Sequence, residues 1–203
     1  MNVYGVFLRP DTITAMAVST VTFHVRRQFG LVSAGAFPPH ATLAGSVPIG
    51  HEPARVVAAL DPVIATTSAF VVHNRGIVTL RSAIVYDIDQ NVDGTRNGPL
   101  HRLADDVNSA LQPLTSPLEA KLVTDYDPAR FHAHLSLASH ELALHPEIAP
   151  DVNEFIREVP VAPSAAFVGS RVALYRFWSD GWDGNWWESL RWTQEHSWRL
   201  GES

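Results

Sequence analysis

Residues 130–137 (RFHAHLSL) alternate strictly between polar and apolar side chains. A period of two is typical of a β-strand that has one face in a core and the other face turned outward. The stretch therefore predicts a sheet that is buried on one side. Its polar side chains would all point to the other side; they are Arg130, His132, His134 and Ser136.

A short motif from this strand also occurs near the start of the chain. Both copies read His-x-Thr/Ser-Leu, once from His40 to Leu43 and once from His134 to Leu137. On a strand, the His and the hydroxyl residue of each copy share one face, while the Leu anchors the opposite face. Two prolines precede His40, and they favour an extended chain there because the residue before a proline is pushed out of the helical region. Each half of the chain thus supplies one copy of the motif.

Helical and strand patterns alternate along the chain, and their order repeats around the two motifs. Helical spacing of apolar residues runs between a capping Asp11 and a terminating Gly30, and recurs over 52–66, 100–114 and 148–159. Pro62 is expected to kink or shorten the second helix. The three strands between residues 70 and 88 are predicted to form a β-meander. The remaining strand patterns cover 3–8, 165–167, 171–178 and 188–200.

The composition is that of an ordinary globular protein. Of the 203 residues, 46% are hydrophobic and 18% are charged, which is enough apolar material for a sizeable core. No apolar run approaches the roughly 18 residues that a membrane span needs. There is also no cysteine for a disulfide or a thiolate metal site. We therefore expect a cytoplasmic protein without a membrane partner, folded as a single domain over residues 1–203.

The balance of charge narrows the choice of partner. The net charge of −6 argues against duplex DNA, because duplex binding relies on many Lys and Arg side chains that neutralise phosphates. Lys121 is the only lysine, so arginine supplies every other fixed positive charge of the side chains. A phosphate-bearing ligand still suits this composition if a few Arg and His side chains converge in a cleft. Such a ligand would be small, or it would be the end of a strand.

Two imidazoles that face each other across a cleft can move one proton in and another out within a single reaction. A neutral His accepts the proton of a nucleophile, while a protonated His donates to the leaving oxygen. A hydroxyl beside each imidazole could donate a hydrogen bond to an oxyanion. The pattern favours displacement at phosphorus without a metal or another cofactor. The catalytic candidates are His40, Thr42, His134 and Ser136.

With these motifs the chain resembles the 2H phosphoesterase superfamily, in particular its 2′-5′ RNA ligase-like and cyclic phosphodiesterase branch. Residues 39–43 (PHATL) match the first motif of that family, and Phe131 with residues 134–138 (HLSLA) matches the second. The resemblance implies an α+β fold of two pseudo-symmetric lobes, each an antiparallel sheet covered by helices, with a central cleft. It implies that 2′,3′-cyclic or similar nucleotide phosphodiesters are opened, or that 2′-5′ RNA is joined reversibly. The substrate would be a nucleotide or an RNA terminus.

The resemblance also assigns roles to the motif residues. His40 and His134 would be the acid and the base, in an order that the sequence leaves open, and the two hydroxyl residues would hold the phosphate. The second motif departs from the family at two positions, since Ala133 stands where the family often has Pro and His132 adds an imidazole. His132 and Arg130 are candidates for binding the substrate's phosphate.

Two other functions are compatible with the same residues. In a metal-dependent hydrolase, His132 and His134 would bind a metal with Asp125 or Asp127 nearby. In a non-catalytic binder of nucleotides or RNA ends, the cleft would be kept without turnover. All six tryptophans lie at or after Trp178. They are expected to pack in the core and in hairpins, and the alternative is a platform on which a base stacks.

Overall fold

The structure is a computed structural model that describes residues 2–116, 126–182 and 184–201. Its helices are α1 (Thr12–Phe29), α2 (Pro53–Ala65), α3 (Gly98–Leu111), α4 (His140–Leu144) and α5 (Ala149–Glu158). Its strands are β1 (Asn2–Leu8), β2 (Ala41–Ile49), β3 (Phe70–His73), β4 (Ile77–Leu80), β5 (Ala83–Asp87), β6 (His134–Ala138), β7 (Ala166–Gly169), β8 (Arg171–Trp178) and β9 (Arg191–Arg199). None of the described helices is both long enough and apolar enough to cross a bilayer.

Seven antiparallel strands form one large sheet in the order β4-β5-β6-β2-β1-β8-β9, and β3 pairs with β7 in a second, small sheet. The predicted α+β architecture with antiparallel sheets is confirmed. The two motif strands, β2 and β6, are neighbours in the middle of the large sheet. Among the described residues they pair at one position, Ala41 with Leu135. The strands β4-β5-β6 thus lie on one side of this junction and β2-β1-β8-β9 on the other.

The two faces of the large sheet differ in character. One face is covered by helices, with α1 against β6 and α3 against β2. Its buried side chains include Tyr4, Val6, Leu8, Leu43, Leu135 and Leu137. Because side chains alternate along a strand, the histidine and hydroxyl residue of each motif lie on the opposite face. We call this second face the cleft face.

Helix α1 shows how local sequence signals set the ends of an element. The Asp11 side chain accepts a hydrogen bond from the backbone N–H of Thr14, as an N-cap does, and Gly30 ends the helix with a φ of 75°. That left-handed conformation is one that glycine adopts at no steric cost. Both predicted ends of the helix are therefore confirmed.

Several local predictions are corrected. Strand β3 pairs with β7 and not with β4, so the predicted meander is limited to β4 and β5. The reason is that the backbone N–H groups of the connecting residues Asn74 and Arg75 donate to carbonyls of two different segments, at Ala165 and Asp87. Helix α2 continues through Pro62 to Ala65. Helix α4, which directly follows the second motif, was not predicted.

A further correction concerns the start of the second motif strand. Strand β6 begins at His134, whereas the alternation predicts a strand from residue 130. Residues 128–130 form a turn instead, because the Asp127 carboxylate accepts from the backbone N–H of Ala129 and the Asp127 carbonyl accepts from Arg130 and Phe131. Local side chain to backbone bonds of this kind compete with strand pairing. The alternation up to His132 therefore does not reflect a strand.

Candidate active site

The pairing of β2 with β6 brings the two motifs together. Since Ala41 lies opposite Leu135 in an antiparallel pair, the same register sets His40 opposite Ser136 and Thr42 opposite His134. Residues directly opposite each other have Cβ atoms about 4.5–5.5 Å apart. Each imidazole therefore has the hydroxyl residue of the other motif as its cross-strand neighbour. All four side chains are partly buried.

Both motif histidines are held in the same way. His40 Nδ1 lies 2.7 Å from the carbonyl oxygen of Pro38, and His134 Nδ1 lies 2.7 Å from the carbonyl oxygen of His132. A carbonyl can only accept a hydrogen bond, so Nδ1 carries the proton and donates it in both rings. The neutral form of each ring therefore has its lone pair on Nε2. Two independent segments thus present the same tautomer to one region of the cleft face.

Aromatic rings surround His40. The Phe7 ring stacks on the imidazole with a centroid distance of 3.9 Å and an interplanar angle of 28°, and Phe37 meets it edge-on at 5.7 Å. Burial lowers the pKa of His40 to about 4, with a smaller contribution from the positive charge that His134 can carry, and the hydrogen bond to the Pro38 carbonyl only partly opposes this shift. His40 is therefore neutral at neutral pH and is suited to accept a proton.

His134 lies in a more polar environment. Burial lowers its pKa below the ordinary value, and nearby His132 and Arg81 act in the same direction. The carboxylate of Asp87 opposes them, since Asp87 is the cross-strand neighbour of His134 on β5. A negative charge beside an imidazole stabilises its protonated form. The Asp87 carboxylate thus favours a proton on His134, whereas the neighbours of His40 are aromatic.

His132 lies between two aspartates and forms a hydrogen bond with one of them. Its Nε2 donates to Asp87 Oδ1 at 3.0 Å, and its Nδ1 lies 3.8 Å from Asp89 Oδ2. Asp89 is buried and also accepts from His101 Nε2 at 2.7 Å and from the backbone N–H of Ala133 at 2.9 Å. These bonds fix residues 132 and 133, and the carbonyl of His132 in turn orients the His134 ring. Asp87 ends β5 and Asp89 lies two residues further along the chain. This spacing of acidic residues is visible in the sequence, but it was not used to predict the site.

Asp89 is therefore expected to position His134 through the backbone. We expect Asp89→Asn to lower the free energy of unfolding by about 1–3 kcal/mol, because the amide carries no charge and replaces one buried carboxylate oxygen with an NH2 donor. We also expect it to lower kcat about 10- to 100-fold through misplacement of the imidazole. Denaturant titration and steady-state kinetics measure the two effects. Asp93→Asn, in an exposed loop, is the matched control, and equal kinetics for the two variants would contradict the positioning role.

A buried carboxylate connects the loop before His40 to the segment after the second motif. Glu141 in α4 accepts from the backbone N–H groups of Val32 at 2.6 Å and Ser33 at 2.8 Å, and also from the Ser33 hydroxyl. The Ser33 hydroxyl further contacts that of Ser139 at 2.9 Å. Helix α4 was not predicted from the sequence. Through Glu141 it fixes residues 32 and 33, in the loop that leads to the first motif.

The remaining predicted site residues have different surroundings. Arg130 lies exposed in the turn that precedes β6, so the structure does not bring it onto the motif strand. Asp127 caps that turn, and Asp125 and Lys121 lie outside the described residues. Within residues 2–116, 126–182 and 184–201, no group of three His, Asp or Glu side chains could hold a metal ion. The donor set that a metal site at His132 and His134 would need is not assembled there.

The tryptophans divide into packed and exposed rings. Trp186 and Trp187 are buried, and His140 stacks on Trp187 with a centroid distance of 5.7 Å. Trp192 is 40% exposed and meets Tyr175 edge-on at 5.5 Å. Tyr175 in turn contacts Phe7, the ring that stacks on His40. Packing thus accounts for part of the tryptophan cluster, while a chain of ring contacts runs from His40 through the buried Phe7 and Tyr175 to the exposed Trp192.

Comparison with solved structures places this site in a known fold. The chain is similar to a crystal structure of a phosphoesterase, with a TM-score of 0.57 and 15% identity over 100% of both chains. It is equally similar to the protein TT0787 of Thermus thermophilus, with a TM-score of 0.58 and 15% identity over 100% of both chains. Escherichia coli LigT in complex with 3′-AMP gives a TM-score of 0.52 and 17% identity over 98% of both chains. No family model and no curated protein sequence matches the chain.

These similarities establish a shared fold over nearly the whole chain. At 15–17% identity they show the architecture and not the reaction. The fold expected from the resemblance to 2H phosphoesterases is thereby confirmed.

Proposed function

We propose that the chain is a 2H phosphoesterase, a metal-independent phosphodiesterase that opens 2′,3′-cyclic phosphates of nucleotides or RNA ends within one bilobed domain. The observation that carries the proposal is the matched pair of imidazoles, each held through Nδ1 by a carbonyl two residues upstream at 2.7 Å. A solvated strand face has no need for two identically oriented rings. The similarity to a phosphoesterase and to LigT structures that hold ATP or 3′-AMP supports a nucleotide substrate.

The environments of the two rings suggest which is the base. His40, stacked on Phe7 and neutral at neutral pH, accepts a proton from water as the water oxygen attacks phosphorus. His134, beside Asp87, donates a proton to the ribose oxygen as its bond to phosphorus breaks. The products are a phosphomonoester and a ribose hydroxyl. Solvent then returns both rings to their initial protonation states.

Thr42 and Ser136 complete the proposed site. In the part of the chain that the structure describes, neither hydroxyl bonds to another protein group, and each lies beside an imidazole. A hydroxyl donor aimed at a phosphoryl oxygen stabilises the charge that develops in the transition state. We propose that each of these hydroxyls binds a non-bridging oxygen. His132 and Arg130 remain proposed phosphate contacts, with His132 held by Asp87.

The direct test is hydrolysis of the four nucleoside 2′,3′-cyclic monophosphates in EDTA across a range of pH. We expect turnover, with kcat/KM highest in a window that opens at the pKa of His40, about 4, and closes below the ordinary histidine value of 6.5, because burial lowers the pKa of His134. Below that window the base becomes protonated, and above it the acid loses its proton, so the rate falls on both sides. Chromatography of the released monophosphate identifies the oxygen that leaves.

Other outcomes would contradict the proposal in distinct ways. Activity that appears only with an added divalent metal would favour the metal-dependent hydrolase. Tight nucleotide binding without any product, under both conditions, would favour a binding protein. A profile that keeps rising above pH 8 would contradict the assignment of a protonated histidine as the acid, even if turnover is observed.

A further inference from the structure

Three arginines lie side by side at one end of the large sheet. The backbone N–H of Arg9, directly after β1, donates to the carbonyl oxygen of Arg171 on β8 at 2.9 Å. Arg171 is in turn paired with Arg199 on β9. All three side chains are exposed. We call these residues the arginine row.

The arginine row begins beside the candidate active site. Strand β1 pairs with β2 so that Leu8 faces Ala41 and Phe7 faces Thr42. Arg9 and His40 are the next residues beyond this last pair, so the register continued by one residue puts them opposite each other. Because alternation puts Phe7 and Tyr175 on the cleft face, Arg9 and Arg171 share that face. One line across the sheet thus contains, in order, Ser136, His40, Arg9, Arg171 and Arg199.

The Arg9 guanidinium is held over the cleft face. It donates to Gln194 Oε1 at 3.3 Å, and the Tyr175 hydroxyl donates to the same oxygen at 2.9 Å. Tyr175 contacts the Phe7 ring that stacks on His40. Arg9 is thus oriented by neutral side chains on the cleft face.

The row carries positive charge, and none of its members has an acidic partner among residues 2–116, 126–182 and 184–201. Like charges directly opposite each other on neighbouring strands are destabilising. Elsewhere on the same strands arginines are paired. Arg176 of β8 binds Glu195 at 2.7 Å, and Arg191 at the start of β9 binds Asp180 at 2.9 Å. No member of the arginine row forms a salt bridge with the described residues. The nearby Asp11 is engaged as the cap of α1 by Thr14 and Ser164.

A small cavity at the outer end of the row offers room for a group of atoms. It is lined by Arg9, Arg171, Ser197, Trp198 and Arg199. Strands in a sheet are about 4.8 Å apart, so Arg171 and Arg199 lie about 10 and 14 Å from the strand of His40. That is too far for contact with a phosphate that reacts between His40 and His134.

We propose that the arginine row binds phosphate groups of the substrate other than the one that reacts. This inference rests on the proposed function and adds that the preferred substrate carries more than one phosphate. A line of guanidinium groups along one face suits a nucleic acid backbone that is tracked by a positive groove. The 5′-phosphate of a single nucleotide is also an anion that a guanidinium group can bind, and it would bind at the end of the row that is nearer to His40.

The test compares three substrates that share the reacting group. They are adenosine 2′,3′-cyclic phosphate, the same nucleotide with a 5′-phosphate, and an adenosine trinucleotide that ends in the cyclic phosphate. We expect Arg171→Gln/Arg199→Gln to lower kcat/KM on the trinucleotide at least tenfold more than on the first substrate. Arg27→Gln, an exposed arginine of α1, is the matched control and should change all three alike.

A binding measurement separates this inference from the proposed function. Anisotropy of a labelled trinucleotide with a 3′-phosphate, titrated at several KCl concentrations, needs no turnover. The double variant should reduce the slope of log K against log salt by about 1.4, since each arginine releases counterions. If the 5′-phosphorylated nucleotide loses as much activity as the trinucleotide, a single second phosphate is the ligand.

Two results would overturn the inference. One is an equal loss on all three substrates, or a loss no larger than that of the Arg27 control. The other is an unchanged salt slope in the double variant. If the wild type hydrolyses none of the cyclic phosphates, the proposed function fails, while the salt slope still decides whether the arginine row binds phosphate.

Discussion

Replacing either motif histidine with alanine is expected to lower kcat for cyclic phosphate hydrolysis by about 100- to 10,000-fold, the usual contribution of one general acid or base. His40 and His134 are each oriented by a single carbonyl at 2.7 Å, and no neighbouring group among the described residues offers an imidazole with the same tautomer. Steady-state kinetics in EDTA at pH 5.5 measures the loss. Both rings act in one step, so their effects are not additive. The kcat of the double variant should therefore be only slightly lower than that of the less active single variant.

Leaving-group chemistry distinguishes the two roles. A p-nitrophenyl phosphodiester releases a phenolate that needs no proton, so His134→Ala should lose much less activity on it than on a nucleoside cyclic phosphate. His40→Ala should lose activity on both substrates, since water must still be deprotonated. His24→Ala, on the exposed side of α1, is the matched control. If both variants lose the same factor on the two substrates, the assignment of base and acid is wrong.

Parity and repetition were enough to predict which motif residues share one face of a strand in the candidate site. A period of two predicts which side of a strand a residue occupies, so the shared face of His40 with Thr42 and of His134 with Ser136 could be read from the chain. The ends of α1 could be predicted for a similar reason, since Asp11 and Gly30 act on their own backbone neighbours. Signals of this kind depend on residues only a few positions apart.

Features that depend on sheet order could not be predicted. The contact of Phe7 with His40 and the line from Arg9 to Arg171 and Arg199 require β1, β2, β8 and β9 to be neighbours in a known register. Nothing within any one of these strands encodes its partner. The separation of β3 from β4 could not be predicted either, because the backbone N–H groups between the two strands bind segments that are distant in the sequence.

Local competition explains the error at the start of β6. Residues 130–133 have the alternation of a strand, yet the Asp127 carboxylate accepts from the backbone N–H of Ala129 and its carbonyl accepts from those of Arg130 and Phe131. Asp89 then binds Ala133 and fixes the chain that carries His132. For this reason the sequence pattern wrongly placed Arg130 on the strand. His132 is nevertheless two residues before His134, and its carbonyl accepts the hydrogen bond that sets the His134 tautomer.

The motif hydroxyls offer the second large effect. Thr42→Val keeps the branched shape of the side chain on β2 and removes its donor, and Ser136→Ala does the same for the hydroxyl on β6. Loss of one preorganised donor to a developing oxyanion typically costs about 100- to 1,000-fold in kcat. We expect a loss of that size for each variant, with a smaller change in KM, because the interaction strengthens as charge develops on the phosphoryl oxygens. Single-turnover kinetics at saturating enzyme measures the chemical step directly.

Conservative variants separate this role from packing. Thr42→Ser and Ser136→Thr retain the hydroxyl and should recover most of the rate, whereas Thr79→Val removes an exposed hydroxyl on β4 and should have little effect. A loss in Thr42→Val that appears wholly in KM would mean that the hydroxyl binds ground state and transition state equally. An unchanged kcat in both Thr42→Val and Ser136→Ala would show that the two hydroxyls take no part in the mechanism. The protonated histidine alone would then stabilise the charge on the phosphoryl oxygens.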